Sequence, residues 1–88
     1  MRAGLEMRVQ QEDWVEAALC ASNVSELELT QGEVAGAVRD AEQSVIYADR
    51  SRNWEAMIHV RTTHGDALHQ SGRRAEAEAR FREAEALE

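Results

Sequence analysis

The 88-residue sequence contains no proline and a single cysteine, Cys20. One cysteine excludes an internal disulfide framework and suits a reducing compartment. No apolar run approaches the roughly 20 residues that a membrane-spanning helix needs, and the first residues lack the apolar core of a signal peptide. These absences lead us to expect a cytoplasmic protein with no membrane partner.

Basic charge is also scarce, since 17 acidic residues against 10 lysines and arginines leave a net charge of −7. A surface of this sign repels nucleic acid. The sequence has no phosphate-binding loop and no nucleophile motif. Its histidines, His59, His64 and His69, are five residues apart, whereas metal ligands on one helix are three or four apart. We therefore predict no nucleic-acid partner, no metal, no cofactor and no enzymatic activity.

Helix-forming residues are abundant, because Ala, Glu, Arg, Leu and Gln dominate the composition. Valine, isoleucine and threonine never alternate with polar residues over the length of a strand. The sequence therefore predicts an all-α fold. A chain of this size buries only about 60–65% of the surface that its unfolded form exposes. We expect one domain, residues 1–88, with a thin core.

A shift of forty residues aligns the sequence with itself. The stretch TQGEVAGAVRDAEQSVIY, residues 30–47, then matches QSGRRAEAEARFREAEAL, residues 70–87. The matches fall at helix starts, at Gly32 and Gly72, and on one helical face. We interpret each unit as a helical hairpin, the first at 13–50 and the second at 53–88. Residues 1–12 then correspond to the end of a preceding helix.

Local signals predict the ends and the buried faces of these helices. Asp13 and Asn53 are predicted N-caps, and Gly32 is predicted to end the first helix in a left-handed conformation. Steps of three and four residues predict the buried side chains. They are Trp14, Ala17, Ala21, Val24 and Leu27, then Val34, Ala37, Val38, Ala41 and Val45, then Trp54, Met57, Ile58, Ala67 and Leu68, and last Ala77, Phe81 and Ala84.

The segment SGRRAEAEARFREAEAL resembles the second half of the tetratricopeptide repeat signature. Gly72 marks the turn, and Ala77, Phe81 and Ala84 follow at the spacing of that family. Gly65 stands where the family has the glycine of its first helix. The period of forty is longer than the family's, which is about 34, and it is closer to that of HEAT and armadillo repeats, the alternative.

The resemblance implies antiparallel helical hairpins stacked as a short α-α superhelix. It also implies a non-catalytic scaffold for protein–protein interaction, within a larger bacterial multidomain protein. In this family the first helices of the hairpins line a groove for an extended peptide or a helix. The residues that would line it here are Ser22, Asn23, Glu26, Thr62, Thr63 and Asp66. Their carboxylates predict a protein or peptide partner with basic side chains.

A second hypothesis concerns the residues before the first complete hairpin. Leu5, Met7, Val9 and Trp14 would form an apolar face there. Repeat arrays need about three units and a polar cap at each end. We therefore expect self-association through this face, most simply as a symmetric homodimer. Structural self-assembly is the alternative function.

Overall fold

The computed structural model describes residues 11–88, which form four α-helices joined by short turns. The helices are α1, Gln11–Thr30; α2, Val34–Ser51; α3, Trp54–Gln70; and α4, Arg74–Leu87. No strand occurs in this part of the chain, so the prediction of an all-α fold is confirmed. Leu5, Met7 and Val9 lie outside the described residues.

The contacts between helices place α3 at the centre of the array. α1 packs against α2 and α3, and α3 also packs against α2 and α4. Within residues 11–88, α4 contacts α3 alone. The first helix of each hairpin therefore touches its own second helix, and α1 and α3 contact each other directly.

The turns that end α1 and α3 have one conformation, repeated forty residues apart. Gly32 and Gly72 have φ angles of 82° and 86°, in the left-handed region that glycine adopts without steric cost. At both turns two backbone hydrogen bonds form a Schellman motif. They are Gly32 N–H to Leu29 O, 3.1 Å, and Glu33 N–H to Glu28 O, 2.8 Å; then Gly72 N–H to His69 O, 3.0 Å, and Arg73 N–H to Leu68 O, 2.9 Å.

The starts of α1 and α3 differ from each other. The Oδ1 atom of Asn53 accepts a hydrogen bond from the Ala56 amide at 2.9 Å, which confirms the predicted N-cap of α3. Asp13 lies inside α1, which includes residues from Gln11 onward, so its assignment as an N-cap is wrong.

The core consists mainly of alanine, serine and valine side chains. Within residues 13–88, the largest side chains that are completely buried are Leu68 and Val60. Small side chains let neighbouring helix axes approach closely, so the core is dense but low in apolar volume. The two buried clusters are Ala37, Val38, Ala41, Ala67, Leu68 and Ala77, and Ala18, Ala48, Ala56 and Val60.

The buried face of α1 is turned by one residue, about 100°, from the predicted face. Ala18, Ser22 and Ser25 are completely buried. Val24 and Leu27 are 47% and 57% exposed, so their predicted burial is wrong. Apolar spacing favours the larger side chains, whereas close contact with both α2 and α3 selects the small ones. The other residues predicted on this face, Trp14, Ala17 and Ala21, are half-buried.

The two tryptophans occupy equivalent positions in different surroundings. The Trp14 ring lies 5.5 Å from the Tyr47 ring, centroid to centroid, and the Arg50 guanidinium lies 5.0 Å from the Trp14 ring centroid. Trp54 is 61% exposed, so its predicted burial is wrong. Forty residues after Tyr47 stands Leu87, which offers Trp54 no aromatic surface.

Gly65 allows α3 and α4 to approach each other. A Cβ atom placed on Gly65 would lie 2.5 Å from Cε1 of Phe81, far inside the about 3.5–4.0 Å at which carbon atoms attract. Forty residues earlier, Ser25 and Ala41 hold the equivalent positions. Both are completely buried. One hairpin therefore pairs two small residues where the other pairs glycine with a large ring.

Arg61 links three helices. Its Nη1 and Nη2 atoms donate to the two carboxylate oxygens of Asp49 in α2, at 2.9 and 3.0 Å. Its Nε atom donates to Glu83 of α4 at 3.1 Å. These contacts, with Asp49 foremost, raise the pKa of Arg61. The two acidic partners compensate the desolvation of the partly buried Arg61 guanidinium.

The outer face of α4 is charged where the corresponding face of α2 is apolar. Val38 is buried and Val45 is half-buried, and both belong to the packing of α2 against its neighbours. Forty residues later stand Glu78 and Glu85, which are exposed. Glu78 forms an ion pair with Arg82 at 2.9 Å.

His64 is a buried histidine in α3, with 7% of its surface exposed. Neither ring nitrogen has a hydrogen-bond partner among residues 11–88. Burial is the main cause that lowers the pKa of His64. The charged groups that act on it from α2 and from the α4 side are Glu42, Arg73, Glu76 and Arg80.

This environment makes folding stability depend on pH. A histidine with a lowered pKa in the folded state takes up its proton more readily when the chain unfolds, so stability falls as pH drops below the ordinary value of about 6.5. We expect the free energy of unfolding of His64→Leu, relative to the native chain, to increase between about pH 7.5 and pH 5. Urea denaturation across this range measures the difference. Parallel curves for the two proteins would contradict the prediction.

Candidate functional site

The contact between α1 and α3 brings together most of the residues predicted to line a groove. Asn23 and Glu26 of α1, and Thr62 and Asp66 of α3, are exposed. Glu26 and Asp66 are forty residues apart and hold equivalent positions in the two helices. We call these four residues the seam surface, because they flank the line along which α1 meets α3.

Two of the predicted groove residues lie beneath this surface rather than on it. Ser22 and Thr63 are both buried, and the Ser22 hydroxyl donates to Thr63 Oγ1 at 2.9 Å. A partner on the surface cannot contact them, so the prediction that they bind one is wrong. Their role is to fix α1 against α3, because a buried hydroxyl pair is stable only while both groups stay hydrogen-bonded.

The Ser22–Thr63 pair also positions a carboxylate of the seam surface. Thr63 Oγ1 lies 3.3 Å from Glu26 Oε2 and 3.2 Å from the backbone oxygen of His59. Its one hydrogen can be donated to either acceptor, while its oxygen accepts from Ser22. Glu26 is thereby held beside α3, although it belongs to α1.

Asp66 is close enough to Glu26 for the two charges to interact. Partial burial, and after it the negative charge of Glu26, raises the pKa of Asp66, while His69 acts in the opposite direction. Among residues 11–88, neither Glu26 nor Asp66 forms an ion pair with an arginine. Two neighbouring carboxylates without an arginine favour the approach of a cation.

The polar groups on either side of this carboxylate pair are not equally available. The Thr62 hydroxyl donates to the Ile58 carbonyl of its own helix at 3.1 Å. Asn23 is exposed, and its amide can both donate and accept hydrogen bonds. A basic side chain with an adjacent backbone amide is therefore the chemistry that the seam surface suits best.

The predicted self-association face is represented in the described residues by Trp14 alone. Its ring is half-buried against Tyr47 and Arg50, so it packs within the first hairpin. Leu5, Met7 and Val9 are outside the described residues, and association through this face stays a prediction.

A second surface that was not expected from the sequence lies on α1, on the side opposite Ser22 and Glu26, the residues that contact Thr63 of α3. It consists of Ala17, Cys20, Ala21, Val24 and Leu27, and we call it the outer stripe. Its spacing of three and four residues is the signal from which it was predicted to be core. The same spacing places these residues on one side of α1.

The part of the chain that the structure describes gives little support for a metal site or a membrane-spanning helix. His59 and His69 are exposed while His64 is buried, so the histidines do not converge. No group of three or more potential metal ligands occurs among the described residues. None of the helices in residues 11–88 has both the length and the apolar character needed to cross a membrane. Comparisons of the chain with protein families, curated proteins and solved structures gave no match.

Proposed function

We propose that this chain is a non-catalytic helical-repeat scaffold that binds a basic protein segment on its seam surface. The observation that carries the proposal is the pairing of Glu26 with Asp66 across the contact between α1 and α3. Partial burial, and after it the negative charge of Glu26, raises the pKa of Asp66. A lysine or arginine between them would relieve their mutual repulsion and gain charge-assisted hydrogen bonds.

The repeated architecture supports the tetratricopeptide-like part of this proposal. The turns after α1 and α3 have the same hydrogen bonds at an offset of forty residues. Ala37 and Ala77 are both buried at that offset, and so are Ser25 and Gly65. Stacked hairpins of this kind present the exposed residues of their first helices side by side, which is the usual source of binding surfaces in repeat proteins.

Charge reversal on the seam surface tests the proposal. The probes are fluorescein-labelled dodecapeptides that carry two lysines at spacings of two to six residues in a neutral background. We expect at least one of these peptides to bind. The double variant Glu26→Lys/Asp66→Lys should weaken that binding about tenfold or more, because its new lysines repel those of the peptide; a tenfold loss corresponds to about 1.4 kcal/mol. Fluorescence anisotropy measures the dissociation constants, in about 0.15 M salt to limit long-range effects.

The matched control is Glu55→Lys/Glu85→Lys, which gives the same net charge on exposed residues of α3 and α4. We expect it to change the affinity less than threefold, about 0.65 kcal/mol or less. The proposal is wrong if the two double variants weaken binding equally. It is also wrong if every lysine peptide binds no better than the same peptide with both lysines replaced by glutamate.

A further inference from the structure

The exposed line between α1 and α3 continues beyond the carboxylates of the seam surface. Leu19 precedes Glu26 by seven residues, and His59 precedes Asp66 by seven residues. Seven residues are almost two turns of an α-helix and bring two side chains to within about 20° of the same direction. Leu19 and His59 are both exposed, and we call them the leucine–histidine pair. They are forty residues apart, as Glu26 and Asp66 are.

A buried contact shows that the leucine–histidine pair and the two carboxylates border the same line between α1 and α3. The Ser22 hydroxyl donates to Thr63 Oγ1 at 2.9 Å. Leu19 lies three residues before Ser22, and His59 lies four residues before Thr63. Neighbours at these spacings share a helix face. The two carboxylates follow the same contact at spacings of four and three residues, so one pair lies on each side of it.

Leu19 gives its end of the seam an apolar character that the carboxylate end lacks. Its exposed fraction, 37%, is surface that a partner can remove from water with a gain in free energy. His59, on the α3 side of the seam, presents an apolar ring body with a polar tip. The leucine–histidine pair therefore suits a large apolar side chain, whereas Glu26 and Asp66 suit a basic one.

The distance between the two pairs selects the form of the bound chain. Seven residues of α-helix rise about 10.5 Å. A polyproline-type extended segment rises about 3.1 Å per residue and has three residues per turn, so residues three apart lie on one side, about 9.3 Å from each other. Its backbone makes no internal hydrogen bonds. It can therefore bond to the exposed amide of Asn23, which lies between the two pairs in α1.

We infer that the seam surface binds an extended segment that carries a lysine or arginine and, three residues from it, a large apolar residue. The basic side chain lies between Glu26 and Asp66, and the apolar side chain lies on Leu19 beside His59. The inference rests on the proposed function, which supplies the carboxylate end of the site. It adds a second point of recognition, which restricts the sequence of the partner.

The probes are fluorescein-labelled dodecapeptides with one lysine in a neutral background and one phenylalanine placed one to five residues before or after it. Fluorescence anisotropy measures their dissociation constants at pH 7.5 in about 0.15 M salt. We expect a spacing of three, in one of the two orders, to bind at least fivefold more tightly than the peptide without phenylalanine. At spacings of one and five the gain should be less than twofold, because the two side chains then cannot reach both pairs.

Leu19→Gln removes the apolar contact and keeps a side chain of similar length. We expect it to abolish the gain from phenylalanine and to change the affinity of the peptide without phenylalanine less than twofold. The matched control is Leu27→Gln, the same substitution in α1 at a residue of the outer stripe that is 57% exposed. It should leave both affinities unchanged. Circular dichroism verifies that both variants keep the helical content of the native chain.

The inference is overturned if the phenylalanine peptides bind equally at every spacing, bind best at a spacing other than three, or fail to bind. A gain from phenylalanine that survives Leu19→Gln would overturn it too. The proposed function is tested separately, by the peptides that carry only lysine and by Glu26→Lys/Asp66→Lys. It can therefore hold when the inference fails, and the two failures are distinguishable.

Discussion

Leu68→Ala is expected to remove about 2–5 kcal/mol of folding stability, the cost of truncating a buried leucine and leaving a cavity. Leu68 is the largest side chain that is completely buried within residues 13–88. It joins α3 to the buried alanines of α2 and α4. Native domains are stable by only about 5–15 kcal/mol, and small ones lie near the lower end. The variant should therefore be largely unfolded at moderate urea concentrations.

Urea denaturation followed by circular dichroism measures this loss, and Leu27→Ala is its matched control. The chemical change is the same, but Leu27 is 57% exposed, so its truncation should cost less than about 0.5 kcal/mol. Equal effects for the two substitutions would mean that the core of the chain does not lie between α2, α3 and α4.

Gly65→Ser is expected to destabilise the chain by about 1–3 kcal/mol, because the new side chain must occupy space held by the Phe81 ring. A Cβ atom at Gly65 would meet three carbon atoms of that ring within 2.8 Å. At the equivalent positions the first hairpin has Ser25 and Ala41, so no aromatic ring stands at the position that corresponds to Phe81. Phe81→Ala should therefore cost about 1–3 kcal/mol less in the Gly65→Ser background than in the native chain.

A double-mutant cycle of urea denaturation measures this coupling. Gly36→Ser provides the control for placing serine in a helix, since a Cβ atom there meets the flexible carboxylate of Glu28. It should be neutral, or stabilising by a few tenths of a kcal/mol through helix propensity. Additive effects of Gly65→Ser and Phe81→Ala would show that the two positions do not compete for the same space.

The helices and their ends could be predicted from the sequence because they depend on local chemistry. Gly32 and Gly72 supply a left-handed conformation that other residues resist. The side-chain oxygen of Asn53 accepts a hydrogen bond from one of the backbone amides in the first turn of α3, which have no partner within the helix. The spacing of Ala37, Ala41, Ala77 and Ala84 indicated the buried faces of α2 and α4, because each of those helices has a single apolar face.

The faces of α1 could not be predicted in the same way, since this helix has two candidate stripes. One contains Ala18, Ser22 and Ser25, and the other contains Val24 and Leu27. Hydropathy favours burial of the second stripe. The close contact of α1 with α2 and α3, however, has room only for the small side chains of the first stripe. The same ambiguity explains why Ser22 and Thr63 were predicted to line the groove. A serine or threonine can be buried when a partner hydroxyl lies opposite, and no pattern within one helix reveals that partner.

The charged outer face of α4 bears on polymerisation. If α4 of one copy covered the outer stripe of the next, each copy would add another in the same orientation, and an open filament would follow. Glu78 and Glu85 would then enter an apolar contact without compensating charges, at a cost of several kcal/mol. The two glutamates therefore oppose head-to-tail growth through this contact.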